Sequence, residues 1–98
     1  MWAQIIKARM KQGAADDMMK LQQEFEAQGD RTPWVRSIAL EDQNNPGLYY
    51  NVVFFESEEK ARANEHTPEQ QERVRRIQEL YEGEPEFVDC NVVYESSR

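Results

Sequence analysis

Residues 2–10 (WAQIIKARM) alternate with the two-residue period of a strand, Trp2, Gln4, Ile6, Ala8 and Met10 on one face and Ala3, Ile5, Lys7 and Arg9 on the other. After Gly13 the period lengthens. Ala14, Met18, Leu21 and Phe25 fall at i, i+4, i+7 and i+11, Asp16 and Asp17 stand in the first turn, and Gly29 supplies a stop, which predicts a helix. Asp30, Arg31, Thr32 and Pro33 connect it to two apolar runs, Trp34–Glu41 (WVRSIALE) and Leu48–Phe55 (LYYNVVFF). Pro46 followed by Gly47 offers a fixed φ and then a positive one, so these runs are expected to form a hairpin. The second run is apolar on both faces, Leu48, Tyr50, Val52 and Phe54 against Tyr49, Val53 and Phe55, as in an interior strand covered on both sides.

Ser57 is placed to cap a helix running through Ala63, and Thr67, Pro68, Glu69, Gln70 repeats the start signal with Pro at the first helical position. This helix is therefore expected in two pieces, with a break at 64–67. Val74, Ile77 and Tyr81 trace one face of the second piece, which Gly83 is expected to end. Pro85 then leads into a fourth strand over residues 86–95, with Val88, Cys90, Val92 and Tyr94 on its apolar side, and residues 96–98 are expected to fray.

The order β, α, β, β, α, β, built as two right-handed βαβ units, places the first and third strands at the centre of the sheet and both helices on one face. Two helices shield one side only. The other side would leave apolar surface in water, and a second copy of the chain related by a two-fold axis is the simplest cover. The expected class is α+β, a ferredoxin-like βαββαβ fold with a four-stranded antiparallel sheet, two such sheets meeting as a dimeric α/β barrel. Ninety-eight residues make a single domain over 1–98 with a thin core of its own.

Charge narrows the partners. Twelve basic and nineteen acidic residues give a net charge of −7, and the excess falls after residue 55, where six basic groups face twelve acidic ones. No basic stripe is present to bind phosphates, so neither nucleic acid nor an anionic membrane is an expected partner. Cys90 is the only cysteine, which excludes an internal disulfide and suits a reducing cytoplasm. The first twenty residues hold no signal-like apolar run and no spanning segment. Phosphate loops, dinucleotide turns, His/Cys metal spacings and Ser-His-Asp order are absent, so no metal is expected. Arg73, Arg75 and Arg76 look basic until Glu69, Glu72 and Glu79 are set beside them at i, i+4 spacing, as a paired and solvated helix face.

One stretch carries a family likeness. Phe54, Phe55, Glu56, Ser57, Glu58, Glu59, Lys60, Ala61 closes the third strand and opens the second helix. With the βαββαβ order and the split helix, it resembles the antibiotic biosynthesis monooxygenase (ABM) superfamily of dimeric α/β barrels. The likeness covers nearly the whole chain in pattern and residues 51–71 in detail. It is specific for the fold and weak for the chemistry, because the family spans cofactor-free oxygenases of aromatic polyketides, haem-degrading enzymes and quinol-directed enzymes. Haem-degrading members use a histidine late in the second helix, a Trp and an Asn on the first strand. Val74 and Asn64 stand near the first two positions here and the first strand has no Asn, so haem degradation is disfavoured.

What the resemblance implies instead is cofactor-independent oxygenation of a small aromatic or quinol substrate, in a cleft between sheet and helices. The substrate anion hands an electron to O2, so the protein need supply only a dry pocket and a few donors. Asn51 and His66 are the expected catalytic residues, and Trp34, Arg36, Tyr49 and Tyr50 the expected substrate-binding ones. A register pairing Glu41 with Leu48 would gather Trp34, Arg36, Tyr49 and Asn51 on one face. Each has a plainer reading: His66 as a solvated loop residue, Trp and Tyr as packing, Asn51 bonded to backbone or water, Arg36 paired with an acid across the dimer. Cys90 is expected to be an inert core residue. The alternative function is a non-catalytic dimeric α/β-barrel protein that binds a small apolar ligand.

Overall fold

The computed structural model describes residues 1–29 and 32–98, so the connector at 30–31 lies outside the described residues. The chain runs β1 (Trp2–Met10), α1 (Ala15–Ala27), β2 (Trp34–Glu41), β3 (Leu48–Phe55), α2 (Glu58–Glu65), α3 (Pro68–Gln78), β4 (Tyr81–Asn91). All four strands form one antiparallel sheet in the order β2-β3-β1-β4. This is the expected ferredoxin-like arrangement, with β1 and β3 inside.

The broken helix follows from two separate caps. Ser57 Oγ accepts from the backbone N–H of Lys60 at 3.2 Å, and Thr67 Oγ1 accepts from that of Gln70 at 3.2 Å. Between them His66 closes α2, and Pro68 opens α3. In α1 the predicted face turns inward, with Leu21 and Phe25 buried, and the chain leaves through Gly29 at φ +77°. Phe25 is roofed by guanidinium groups from α3, Arg73 at 4.2 Å and Arg76 at 5.7 Å from the ring centre. Arg76 also donates twice to the Glu24 carboxylate, at 3.0 and 2.9 Å. It thus bridges to α1, while Glu72 is held by Arg75, which also reaches Glu79.

The hairpin register differs by one residue from the expected one, with Glu41 opposite Tyr49. Asp42 opens the turn. Its backbone N–H donates to the Leu48 carbonyl and its carboxylate accepts from the N–H of Asn44, so Asp42 and not Glu41 closes against Leu48. A slip of one sends a strand to its other face, and Arg36 now opposes Phe54. The register shifts again between Trp34 and Arg36, which returns Trp34 to a position opposite Phe55.

At the C-terminal end α3 stops at Gln78 and Tyr81 opens β4 opposite Met10, where its ring is buried. The helix was expected to continue through Tyr81 because that residue fits the face of Val74 and Ile77. The sheet offers the ring a better place, and a register shift spanning Gly83 (φ +81°) realigns the strand so that Glu86 meets Lys7. β4 then ends at Asn91. Val92 adds one further bond to the Met1 carbonyl, while Val93 and Tyr94 stand 92% and 83% exposed instead of completing a strand to residue 95.

Directly opposed residues of an antiparallel sheet share a face, so the register can be read as rows across the strands. The helix-side rows are Asn91, Trp2, Phe55, Trp34; then Asp89, Gln4, Val53, Ser37; then Phe87, Ile6, Asn51, Ala39; and last Ala8, Tyr49, Glu41. The rows of the open face are Cys90, Ala3, Phe54, Arg36; then Val88, Ile5, Val52, Ile38; then Glu86, Lys7, Tyr50, Leu40. Cys90 therefore lies half-buried on the open face, outside the core.

Candidate functional site

Packing on the helix side is concentrated at the two ends of the sheet. At one end Ala8, Met10, Ala14 and Tyr81 form a buried cluster, with Met18, Tyr49, Ile77 and Leu80 against it. At the other, Trp2 is buried against Phe55 with ring centres 5.8 Å apart, and the Arg62 guanidinium lies 5.2 Å from the Trp2 ring. Arg62 is fixed there by Asp89 at 2.6 Å, which in turn accepts from Gln4 at 3.0 Å. Between these ends the helices do not close. Ile6, Asn51 and Val53 are only half-buried, and Phe87 at the end of the middle row is 54% exposed.

The middle row is thus a strip of apolar surface, Phe87, Ile6 and Ala39, interrupted by one amide, Asn51. Tyr81 enters the sheet two rows away, opposite Met10, with its ring buried. Burial pushes the Tyr81 phenol up from its usual pKa, and the bond with Asn51 opposes that rise in part. Tyr49, one row away, is also raised, first by burial and then by the charge and hydrogen bond of Glu41. A hollow of about 270 Å³ walled by Gln78, Gly83, Glu84, Pro85 and Phe87 adjoins the β4 end of the row. One of equal volume between α1 and α3 has no strand residue in its wall and includes the Glu24–Arg76 pair.

The structure places three of the six expected site residues on one face of the sheet. Asn51, Tyr49 and Trp34 share the helix side of the sheet. Arg36 and Tyr50 point the other way, Arg36 with its guanidinium 5.9 Å from the Phe54 ring and Tyr50 with its hydroxyl donating to Asp42 at 3.3 Å. His66 is exposed at the junction of α2 and α3. Tyr81 was missed because its sequence position fits a helix face; the signal available was Gly83 two residues on, which marks a bulge as readily as a helix end. Among the described residues, no three His, Cys, Asp or Glu side chains converge as they would to hold a metal ion. No helix there is long and apolar enough to cross a membrane.

No protein-family model and no curated protein sequence matches the chain. Solved structures do match it. SnoaB, a cofactor-independent oxygenase from Streptomyces nogalater, superposes with a TM-score of 0.78 at 14% identity, over 96% of this chain and 94% of that one. A Bordetella bronchiseptica protein proposed to be an antibiotic biosynthesis monooxygenase gives 0.78 at 15% identity, over 95% and 97%. Another so described, from Chloroflexus aurantiacus, gives 0.74 at 18%, over 98% and 96%. At these identities the likeness establishes a shared fold along essentially the whole chain, and the chemistry has to be argued from residues.

Proposed function

We propose that the protein is a cytoplasmic, cofactor-independent monooxygenase of the ABM type, acting on a small aromatic or quinol substrate laid along the middle row of the sheet. The observation that carries this reading is the placement of Asn51. It is a lone amide in an otherwise apolar strip that the helices leave open, on a fold shared with a cofactor-independent oxygenase. An aromatic ring lying over Ile6 and Phe87 would be held by apolar contact, and its oxygen would meet the Asn51 N–H groups. Those donors stabilise the anion that reduces O2; recombination gives a hydroperoxide, and loss of water leaves a new carbonyl. Trp34 and Phe55 extend the aromatic wall, and Tyr49 closes one end.

The reading includes a homodimer. Two copies would join through their open faces, sheet against sheet, as a dimeric α/β barrel. In that assembly Arg36 and Tyr50 serve the interface, and His66 stays in solvent.

Oxygen uptake with a panel of hydroquinones and anthrones tests the activity. Asn51→Ala is expected to lower kcat/KM by about tenfold or more, the loss of one bond to a charged group, while His66→Ala leaves it unchanged. Uptake that Asn51→Ala does not alter would remove the site. No uptake with any substrate would leave a dimeric binder of small apolar ligands.

A further inference from the structure

At Phe87 the middle row meets the hollow of about 270 Å³ on the β4 edge, whose wall chemistry differs from the row's. We propose that this hollow is an ammonium subsite, and that the substrates of the row are phenols carrying a protonated amine on a short alkyl arm. The proposal deepens the oxygenase reading and rests on it for the seat of the phenol, while cation binding in the hollow stands without it.

A bulge in β4 makes the hollow. One residue, Ala8, separates Lys7 from Arg9 on β1, whereas three, Gly83, Glu84 and Pro85, separate their partners Glu86 and Glu82. The surplus residues leave the ladder, and with Gln78 from the end of α3 and Phe87 from the row they form the wall. Beyond its chain neighbours, no heavy atom among the described residues stands within 4 Å of where a Cβ on Gly83 would project, so that side stays open. Pro85 fixes its own φ and holds the bulge to one shape.

The wall pairs an aromatic ring with a carboxylate. Phe87 is 54% exposed, and Glu84 is exposed and takes part in no ion pair among the described residues. Nearby cations are engaged elsewhere: Arg75 holds Glu72 and Glu79, Arg76 holds Glu24, and Arg9 reaches Asn45 and the Pro46 carbonyl. Lys7, opposite Glu86, belongs to the other face of the sheet. Residues 77–97 contain six acids and no Lys or Arg, so the local field favours a cation and disfavours an anion. A ring face attracts an ammonium group, and the Glu84 carboxylate and Gln78 amide oxygen can accept from its three N–H donors.

Strand spacing sets the length of the ligand. Phe87 and Asn51 flank Ile6 on neighbouring strands, so they lie about 10 Å apart at about 4.8 Å per strand. A phenol whose oxygen meets Asn51 directs its para position toward Phe87. A two-carbon arm there carries an amine to the mouth of the hollow.

The test compares 4-(2-aminoethyl)phenol with 4-(2-hydroxyethyl)phenol, its neutral isostere, by calorimetric titration of the whole chain at neutral pH. Wild type is expected to bind the amine about tenfold more tightly, the sum of one exposed ion pair and one cation–π contact. Glu84→Gln and Phe87→Leu should each lower that preference about threefold. Glu69→Gln removes the same charge at the far end of α3 and should leave it intact. All three positions are exposed, so the fold should survive each change. Equal affinity for the two ligands, absence of amine binding, a Glu84→Gln variant with the wild-type preference, or an equal loss in Glu69→Gln would each overturn the subsite. The two readings separate. A preference for the amine that Glu84→Gln lowers, without oxygen uptake from any substrate, would keep the subsite and remove the oxygenase. Oxygen uptake from hydroquinones, with no preference for the amine, would do the reverse.

Discussion

Val52 sits in the one row that is apolar across all four strands, Val88, Ile5, Val52, Ile38, and it faces away from the helices. Replacing it with Asp probes the proposed dimer directly. Four strands at about 4.8 Å spacing and eight residues at about 3.3 Å rise give a patch of roughly 500 Å² in plan. Side-chain relief raises its accessible area toward the roughly 800 Å² per partner of a standard stable interface. A carboxylate buried there without a partner costs about 3 kcal/mol, and the two-fold axis introduces it twice. The expected loss is therefore about 6 kcal/mol, or about four decades in dimer Kd.

Stability of the isolated chain should hardly change, because Val52 is only half-buried in the single copy. The contrast is with Ser37→Asp on the exposed helix side of β2, which should leave association intact. Light scattering coupled to size exclusion, from low micromolar to about 100 µM, reads the outcome. Wild type is expected at twice 11.6 kDa, Val52→Asp at 11.6 kDa and Ser37→Asp as wild type. A wild-type monomer throughout that range, or a Val52→Asp dimer as tight as wild type, would refute the face assignment.

Three further outcomes follow from particular contacts. Ala8→Leu forces extra methylenes into the buried cluster of Met10, Ala14 and Tyr81 and should destabilise by about 2 kcal/mol, read in urea titrations. Gly83→Ala forces an alanine into φ +81° with open space around its Cβ, so the cost is backbone strain alone, about 1 kcal/mol, read as a lower urea midpoint at unchanged slope. Glu24 is held below its usual pKa of 4.5, chiefly by its hydrogen bonds from Arg76. A depressed carboxylate contributes stability above the unfolded-state pKa and loses it as pH falls through the folded-state value, so α1 should loosen below about pH 4.5. Amide exchange in α1 should rise there for wild type, and already at neutral pH for Glu24→Gln; equal exchange in both proteins at neutral pH would show that the pair does not hold the helix.

Local signals in the sequence anticipated the elements well where the physics is local. The Ser57 and Thr67 caps, the break between them, the Leu21 and Phe25 face and the Gly29 stop all lie within a few residues of their causes. The order of strands followed from connection rules alone. Register did not, because it depends on whether Glu41 or Asp42 closes the turn, and that rests on a side-chain bond from Asp42 to the Asn44 N–H which the Pro-Gly pair does not announce. Tyr81 was a true competition. Its position fits both a helix face and a strand face, and only packing against Ala8 and Met10, more than seventy positions away, decides it.

The same one-residue slip reorganises the chemistry as well as the packing. With Glu41 opposite Leu48, Arg36 would have stood beside Asn51 and offered a cation to any anion bound there. In the observed register that cation lies on the far side of the sheet over Phe54, and the helix side keeps only neutral donors at its middle row. A site built on an amide stabilises an oxyanion by hydrogen bonds without a formal counter-charge, which favours a substrate acidic enough to ionise with modest help. A fixed arginine would have accepted carboxylates and phosphates through ion pairing. The −7 charge of the chain works in the same direction, since it repels small multiply charged anions while leaving a neutral phenol free to approach.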